Sequence, residues 1–237
     1  MRVLGIDTAT SATAAAILDG AADVRERRDD PPPGAHPGHA TRLLAMVDEL
    51  LAEAAIELDA VARIAVGAGP GTFTGLRVGM ATARGLAQSL GCELVTVSSL
   101  RALAHGARSS GVGAAPLLAA IDARRGEVFA AAYAAGGEEL APPRPIAPGE
   151  IGAVLIEAGL TSGGVLGIGD GAVRYRAELE AAGAEVPPAE SRLHLLLASA
   201  VCELGVRAEP VSYGEALPDY LRRPDAELAL EAARGAA

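Results

Sequence analysis

The chain contains no lysine and no tryptophan, only two cysteines, and six aromatic side chains (Phe73, Phe129, Tyr133, Tyr175, Tyr213 and Tyr220) among 237 residues. Without lysine there is no P-loop, whose Gly-Lys-Ser/Thr reaches the nucleotide phosphates, and no Schiff-base chemistry. Cys92 and Cys202 supply neither a disulfide framework nor a zinc spacing, which fits a reducing cytoplasm. No apolar run reaches the ~18–20 residues of a membrane span. The first apolar run carries Asp7, and Asp19 follows soon after, so a signal-peptide core is broken and no export is expected. All 20 basic residues are arginine against 30 acids, a net charge of −10. Such a chain is a poor independent ligand for nucleic-acid backbones, where neutralised phosphates supply most of the affinity. Any service to nucleic acid is expected to pass through a partner.

What the sequence has in abundance is aliphatic surface. Half of its residues are apolar and 53 are alanine, so the core is built from small aliphatic side chains, and the length allows one large domain or two small ones. Residues 2–28 read as two or three antiparallel strands around a polar turn at 8–11 and an Asp19-Gly20 hairpin signal. After a Pro/Gly-rich loop over 29–38, apolar positions recur at three and four from His39 to Leu58, an amphipathic helix. A strand over 61–66, a helix from Thr72 or Thr74 to Leu90, a strand over 92–97 and a helix capped by Ser98 or Ser99 complete a first half, 1–108.

Ser109 to Ala114 reads as a linker, and the second half, 109–237, repeats the pattern more weakly. It opens with a hairpin over 116–134 turning at Arg124-Arg125-Gly126. A Pro-rich connection, a helix over 150–158, a strand over 165–168, a turn at 169–171, a helix over 173–182 and a last helix from Ser191 to Val206 follow. Two successive halves of this kind suggest two similar α/β lobes.

Four features bear on chemistry. Gly69-Pro-Gly-Thr-Phe-Thr-Gly-Leu-Arg77, between a strand and a helix, either presents free N–H groups to an anion or makes a tight turn for close packing. Gly75, Gly79 and Ala83 lie four apart and permit close approach, of a neighbouring helix or of a second protein. Asp7, Thr8 and Thr10 end the first strand, and Asp122 ends its counterpart. Such acids serve magnesium and phosphates in phosphotransfer enzymes of the actin and sugar-kinase type, or simply bond local N–H groups. His36 and His39 have no third ligand, so no metal site is expected.

The stretches Met1-Arg-Val-Leu-Gly-Ile-Asp-Thr-Ala-Thr10, His39 with its Leu-rich helix, Gly69 to Arg77, Ala120-Ile-Asp-Ala-Arg-Arg-Gly-Glu-Val-Phe129 and Pro218-Asp-Tyr-Leu-Arg222 resemble, in order, the bacterial TsaB (YeaZ) family. The resemblance implies an α/β, two-lobed actin-like ATPase fold, each lobe a mixed sheet flanked by helices. It further implies a cytoplasmic, catalytically silent subunit without a cofactor, serving threonylcarbamoylation of adenosine 37 in tRNA. In that family TsaD carries the transfer chemistry and pairs with TsaB through two helices of the first lobe. TsaE joins the pair, homodimers form when TsaB is alone, and tRNA is met through the complex. Carried onto this chain, the interface comprises His39, Leu43, Leu44, Val47, Leu51, Thr72, Phe73, Thr74, Gly75, Arg77, Gly79 and Ala83. Asp7, Thr8, Thr10 and Asp122 are a vestigial nucleotide site, and Tyr220-Leu221-Arg222 returns to the body of the protein. Charging Leu44 and Val47 together is expected to abolish pairing and leave the lobe folded. The competing expectation is an independent ATPase or phosphotransferase that uses Asp7 and Asp122. A metalloprotease is disfavoured, because the chain has no His-x-x-x-His.

Overall fold

A computed structural model describes residues 1–20, 23–32 and 35–222, and the acidic, Ala-rich tail after Pro224 lies outside them. The first half runs β1 (Arg2–Asp7), β2 (Thr13–Asp19), β3 (Asp23–Asp29), α1 (His39–Ala54), β4 (Arg63–Gly69), α2 (Phe73–Leu90), β5 (Glu93–Ser98) and α3 (Ser99–Ser109). The second runs β6 (Leu117–Arg124), β7 (Glu127–Tyr133), β8 (Glu139–Ile146), α4 (Ile151–Glu157), β9 (Val165–Ile168), α5 (Asp170–Arg174), α6 (Arg176–Ala181), β10 (Ala184–Glu185) and α7 (Ala198–Arg207). The first sheet has the order β3-β2-β1-β4-β5 and the second, read the same way, β8-β7-β6-β9-β10. In each, an antiparallel meander is extended by two parallel strands. The same construction made twice is the two-lobed actin-like fold.

Period-two alternation in the strands sorts side chains into layers. Leu4, Ile6, Ile64 and Val66 face α1 and α2, where they meet Leu43, Met46, Leu50, Met80 and Ala83. On the opposite side Val3, Ala14, Ala16, Ala65 and Val95 meet Leu100, Leu103, Val201 and Cys202 of α3 and α7. Helix α3 also packs on the second sheet, in the cluster that holds Leu117, Ala119, Ile121 and Phe129, and α7 packs on α3. The outer side of the second sheet carries α4 to α6 through Val154, Leu155 and Leu179.

Helix α7 is in the second half of the sequence but lies on the first sheet. Arg63, almost wholly buried, donates from Nη1 to the carbonyls of Gly205, Val206 and Ala208, and so caps the open C-terminal end of α7. At the other end the Glu26 carboxylate accepts from the N–H of Ala198 and from the Ser199 hydroxyl, where the helix dipole favours negative charge. Beyond α7 the chain stays on the first lobe. The Val211 N–H bonds Leu94 O, the Tyr213 hydroxyl bonds Cys92 O, and the Asp219 N–H bonds Ala68 O.

Several elements differ from the sequence reading. The first helix stops at Ala54 because Ala55 turns left-handed, and Leu58–Ala60 form a separate 3-10 turn. Residues 139–146, read as a Pro-rich connection, are a strand: β8 lies at the edge of its sheet, where prolines cost no ladder bond on the open side. The helix over 173–182 is two short helices that meet at Tyr175 (φ −111°, ψ 37°), the first starting inside the predicted turn. Ser191 caps one 3-10 turn, its Oγ accepting from the Leu193 N–H, and α7 starts later, at Ala198.

Candidate functional site

On α1 the apolar period marks the face that packs on the sheet. Leu43, Val47 and Leu51 are buried beside Met46 and Leu50 in the core, while Leu44 points outward with 55% of its surface exposed. The expected strip of Leu43, Leu44, Val47 and Leu51 is thereby corrected to Leu44 alone. A charge at Val47 would enter the core, so the paired Leu44/Val47 substitution unfolds the lobe rather than testing an interface.

The small residues of α2 also face inward. A Cβ on Gly75 would stand 2.0 Å from the carbonyl oxygen of Thr8, and one on Gly79 would stand 2.3 Å from the Thr8 hydroxyl. Ala83 is fully buried. Missing side chains let α2 lie directly on the β1–β2 turn, where the Thr8 hydroxyl donates to Gly75 O at 2.7 Å and the Thr72 N–H to Ala9 O at 2.7 Å. Gly75, Gly79 and Ala83 are therefore packing positions within the lobe, not a surface offered to a second protein. His39 opens α1 in the same seam, buried, with Nδ1 2.9 Å from the Thr13 hydroxyl. Burial lowers its pKa, which keeps the ring neutral near pH 7.

The outward side of α2 has different chemistry. Phe73, Thr74 and Arg77 are exposed, and Thr72 is half-buried at the N-cap. The Arg77 guanidinium sits 3.9 Å above the Phe73 ring and its Nε donates to the Tyr220 hydroxyl at 3.0 Å. Tyr220 in turn lies against Phe73, ring centroids 5.2 Å apart. Leu217, 61% exposed, is close by in sequence. Two aromatics and an arginine that hold one another in place on a surface are the residue types that dominate interface energies. Sequence reading placed Phe73 and Arg77 in this face and brought Tyr220 back to the body without assigning it there. Leu217 gave no signal, because it stands alone in an irregular segment.

The acids at the strand ends are engaged internally. Asp7 accepts from the Ala9 N–H at 2.7 Å and the Ser99 hydroxyl at 2.8 Å, and its carboxylate fills the space that a side chain at Gly67 would take, 1.8 Å from Oδ2. Burial pushes its pKa up to about 6. Thr10 accepts from the Ala12 N–H. Asp122, almost wholly buried, accepts from the Arg124 N–H through Oδ1, and through Oδ2 faces the guanidiniums of Arg124 (3.2 Å) and Arg174 (3.4 Å). Its own N–H donates to Asp170 at 3.0 Å. Asp170, which sequence reading treated as a turn residue, is half-buried, and desolvation of its carboxyl raises its pKa. Among the described residues no three His, Cys, Asp or Glu side chains cluster closely enough to hold a metal, and no helix is long and apolar enough to cross a membrane.

The family model described as "TsaD: tRNA N6-adenosine threonylcarbamoyltransferase" matches residues 31–158. The tRNA threonylcarbamoyladenosine biosynthesis protein TsaB of Escherichia coli is 39% identical over 137 residues, 56% of this chain and 55% of its own length. That of Haemophilus influenzae is 37% identical over 129 residues, 54% of this chain and 52% of its own length. The chain spans about half the length of the curated relatives it matches. The solved structure titled "YeaZ from Pseudomonas aeruginosa" superposes with a TM-score of 0.72 at 30% identity, over 92% of this chain and 100% of that one. With a two-lobed fold throughout and sequence identity at this level over the whole of a solved relative, the chain belongs to the TsaB (YeaZ) family.

Proposed function

We propose that this chain is the non-catalytic subunit that pairs with TsaD and holds it competent for threonylcarbamoyl transfer to adenosine 37 of tRNA, with TsaE joining the pair. The observation that carries the reading is the exposed Phe73–Arg77–Tyr220 cluster on the outer side of α2, with Leu44 exposed on α1. Phe73 and Arg77 lie on α2 and Leu44 on α1, the two helices through which the resemblance implies that the family pairs, and Tyr220 joins Phe73 and Arg77 from the C-terminal segment. In the absence of TsaD the same surface serves a homodimer. tRNA is engaged through the complex, and the cytoplasm is the compartment this role requires.

The way the acids and hydroxyls at the strand ends are engaged supports a silent subunit. Thr8 bonds Gly75, Asp7 bonds Ser99 and Ala9, and Asp122 faces two guanidiniums. An ATPase would need those oxygens turned toward magnesium and phosphate. The competing reading, a phosphotransferase using Asp7 and Asp122, is separated by reconstitution. The Asp7→Asn chain with TsaD, TsaE, ATP and the threonylcarbamoyl donor system should modify tRNA as well as the wild type does. Loss of modification by Asp7→Asn with complex formation intact would favour the enzyme.

A further inference from the structure

We infer that Arg77 is a preformed carboxylate receptor, whose guanidinium takes an aspartate or glutamate side chain of the partner TsaD. The inference deepens the subunit reading and rests on it, since it names the chemistry by which the pairing surface recognises the other protein. The chain has 30 acids for 20 arginines, and surface arginines such as Arg2, Arg42 and Arg144 pair with those acids. Arg77 is held by neutral groups instead. Its guanidinium lies over the Phe73 ring and its Nε donates to the Tyr220 hydroxyl, and among the described residues no acid pairs with it. Asp219, beside Tyr220 in sequence, is not its counter-ion: desolvation raises the Asp219 pKa, and no neighbouring cation offsets that rise. The charge of Arg77 is therefore uncompensated among the described residues.

The geometry also selects the ligand. With one face of the guanidinium on Phe73 and Nε on Tyr220, the donors left without a partner are those of Nη1 and Nη2. Parallel N–H donors at one end of a planar group match the two oxygens of a carboxylate. That plane is fixed before a partner arrives. Phe73 and Arg77 stand four apart on α2, so the helix itself brings ring and cation together. Tyr220 is anchored on both sides: the Asp219 N–H bonds Ala68 O at 2.7 Å, Leu221 packs against the core, and Arg222 pairs with Glu127 at 2.7 Å. Part of the side-chain ordering that binding requires is thus complete in the free chain. A protein that covers the exposed rings of Phe73 and Tyr220 removes water from the ion pair, and a charged hydrogen bond is stronger in such surroundings. A nucleic-acid backbone would call for several cations together, and this cluster supplies one.

The absence of lysine from the chain makes the test direct. Arg77→Lys introduces a single side-chain amine, which a carbodiimide couples to a carboxylate in contact with it. The full-length Arg77→Lys chain is mixed with TsaD from the same organism, treated with carbodiimide and digested, and cross-linked peptides are identified by mass spectrometry. An amide joining position 77 to an aspartate or glutamate of TsaD is expected. Calorimetry gives the affinities. Arg77→Gln should weaken pairing about tenfold or more, as suits lost hydrogen bonds between charged groups, and Arg77→Lys should weaken it less. Tyr220→Phe keeps the ring and removes the acceptor that positions Arg77, so it should weaken pairing several-fold in the wild type and not at all beside Arg77→Gln. Undiminished pairing by a folded Arg77→Gln chain overturns the receptor and leaves the subunit reading standing, the arginine then being a clamp for the C-terminal segment. A complex with no cross-link from position 77 to TsaD, a cross-link from it to a second copy of this chain instead, or an Arg77→Gln defect in tRNA binding with TsaD pairing unchanged overturns it too. Failure of the wild type to pair with TsaD removes both readings. Should Arg77→Gln fail to fold by circular dichroism, Arg77→Lys carries the test.

Discussion

Replacing Gly75 by alanine separates two accounts of the small-residue stripe on α2, because they differ in sign. If the stripe were a free surface awaiting a partner helix, the substitution would improve helix propensity and stabilise the chain by up to about 1 kcal/mol. In the structure the new Cβ would stand 2.0 Å from Thr8 O, and real Cβ atoms essentially never approach within 3.0 Å, so the two elements must separate by the difference, about 1 Å. The obstructing atom is backbone in a buried turn that is tied to α2 by the Thr8–Gly75 and Thr72–Ala9 hydrogen bonds. Overpacking of this kind costs about 1–3 kcal/mol, and more where backbone must move. With the propensity gain subtracted, a net loss of about 1–2 kcal/mol is expected, or about 2–8 °C in Tm for a chain of this size. Gly85, exposed on the same helix with nothing near its Cβ position, is the control, and Gly85→Ala should gain up to about 1 kcal/mol. Urea denaturation of both variants, followed by circular dichroism, reads the difference. A Gly75→Ala chain as stable as Gly85→Ala would refute the packing argument.

Leu44→Glu should leave stability within about 0.5 kcal/mol of the wild type and weaken pairing with TsaD, whereas Val47→Glu, which buries a carboxylate in the core, should unfold the first lobe. Thermal melts with a co-elution assay check both, and a folded Val47→Glu would show that α1 is placed wrongly. Asp7 gives a pH signature. Burial raises its pKa from 3.8 to about 6, so the folded chain retains a proton that the unfolded chain releases. Stability therefore falls as pH rises from about 4 to about 6, by on the order of 3 kcal/mol at 1.36 kcal/mol per pH unit. Asp7→Asn removes that loss and should be the more stable chain above pH 6, with the two converging near pH 4. A wild-type-minus-variant difference that is flat across this window would contradict the assignment.

Much of the fold was legible because burial on both sides leaves continuous aliphatic runs, as in Val3–Ile6 and Leu117–Ile121, bounded by turn residues. The repeat of one sheet order in both lobes was legible only as an analogy of element order. Strand β8 was hidden by Pro142, Pro143 and Pro145, whose meaning depends on whether the strand is at an edge, which is a tertiary fact. The surface was less legible for a physical reason. The strongest apolar period on a helix marks its core face, so reading an interface from Leu43, Val47 and Leu51 selected the residues least available to a partner. Residues that do face outward, such as Leu44 and Phe73, lie off that stripe. Tyr220 joins them from far along the chain, through contacts that no local pattern announces.

The central claim is that the chain works by pairing, and size exclusion with light scattering tests it most directly. The purified full-length chain is mixed with TsaD from the same organism, with the chain alone and a Phe73→Ala/Tyr220→Ala variant as controls. The account predicts a one-to-one complex that forms at the expense of any homodimer and is lost or strongly weakened in the folded variant. No complex with TsaD, together with ATP hydrolysis by the chain alone that Asp7→Asn abolishes, would contradict it.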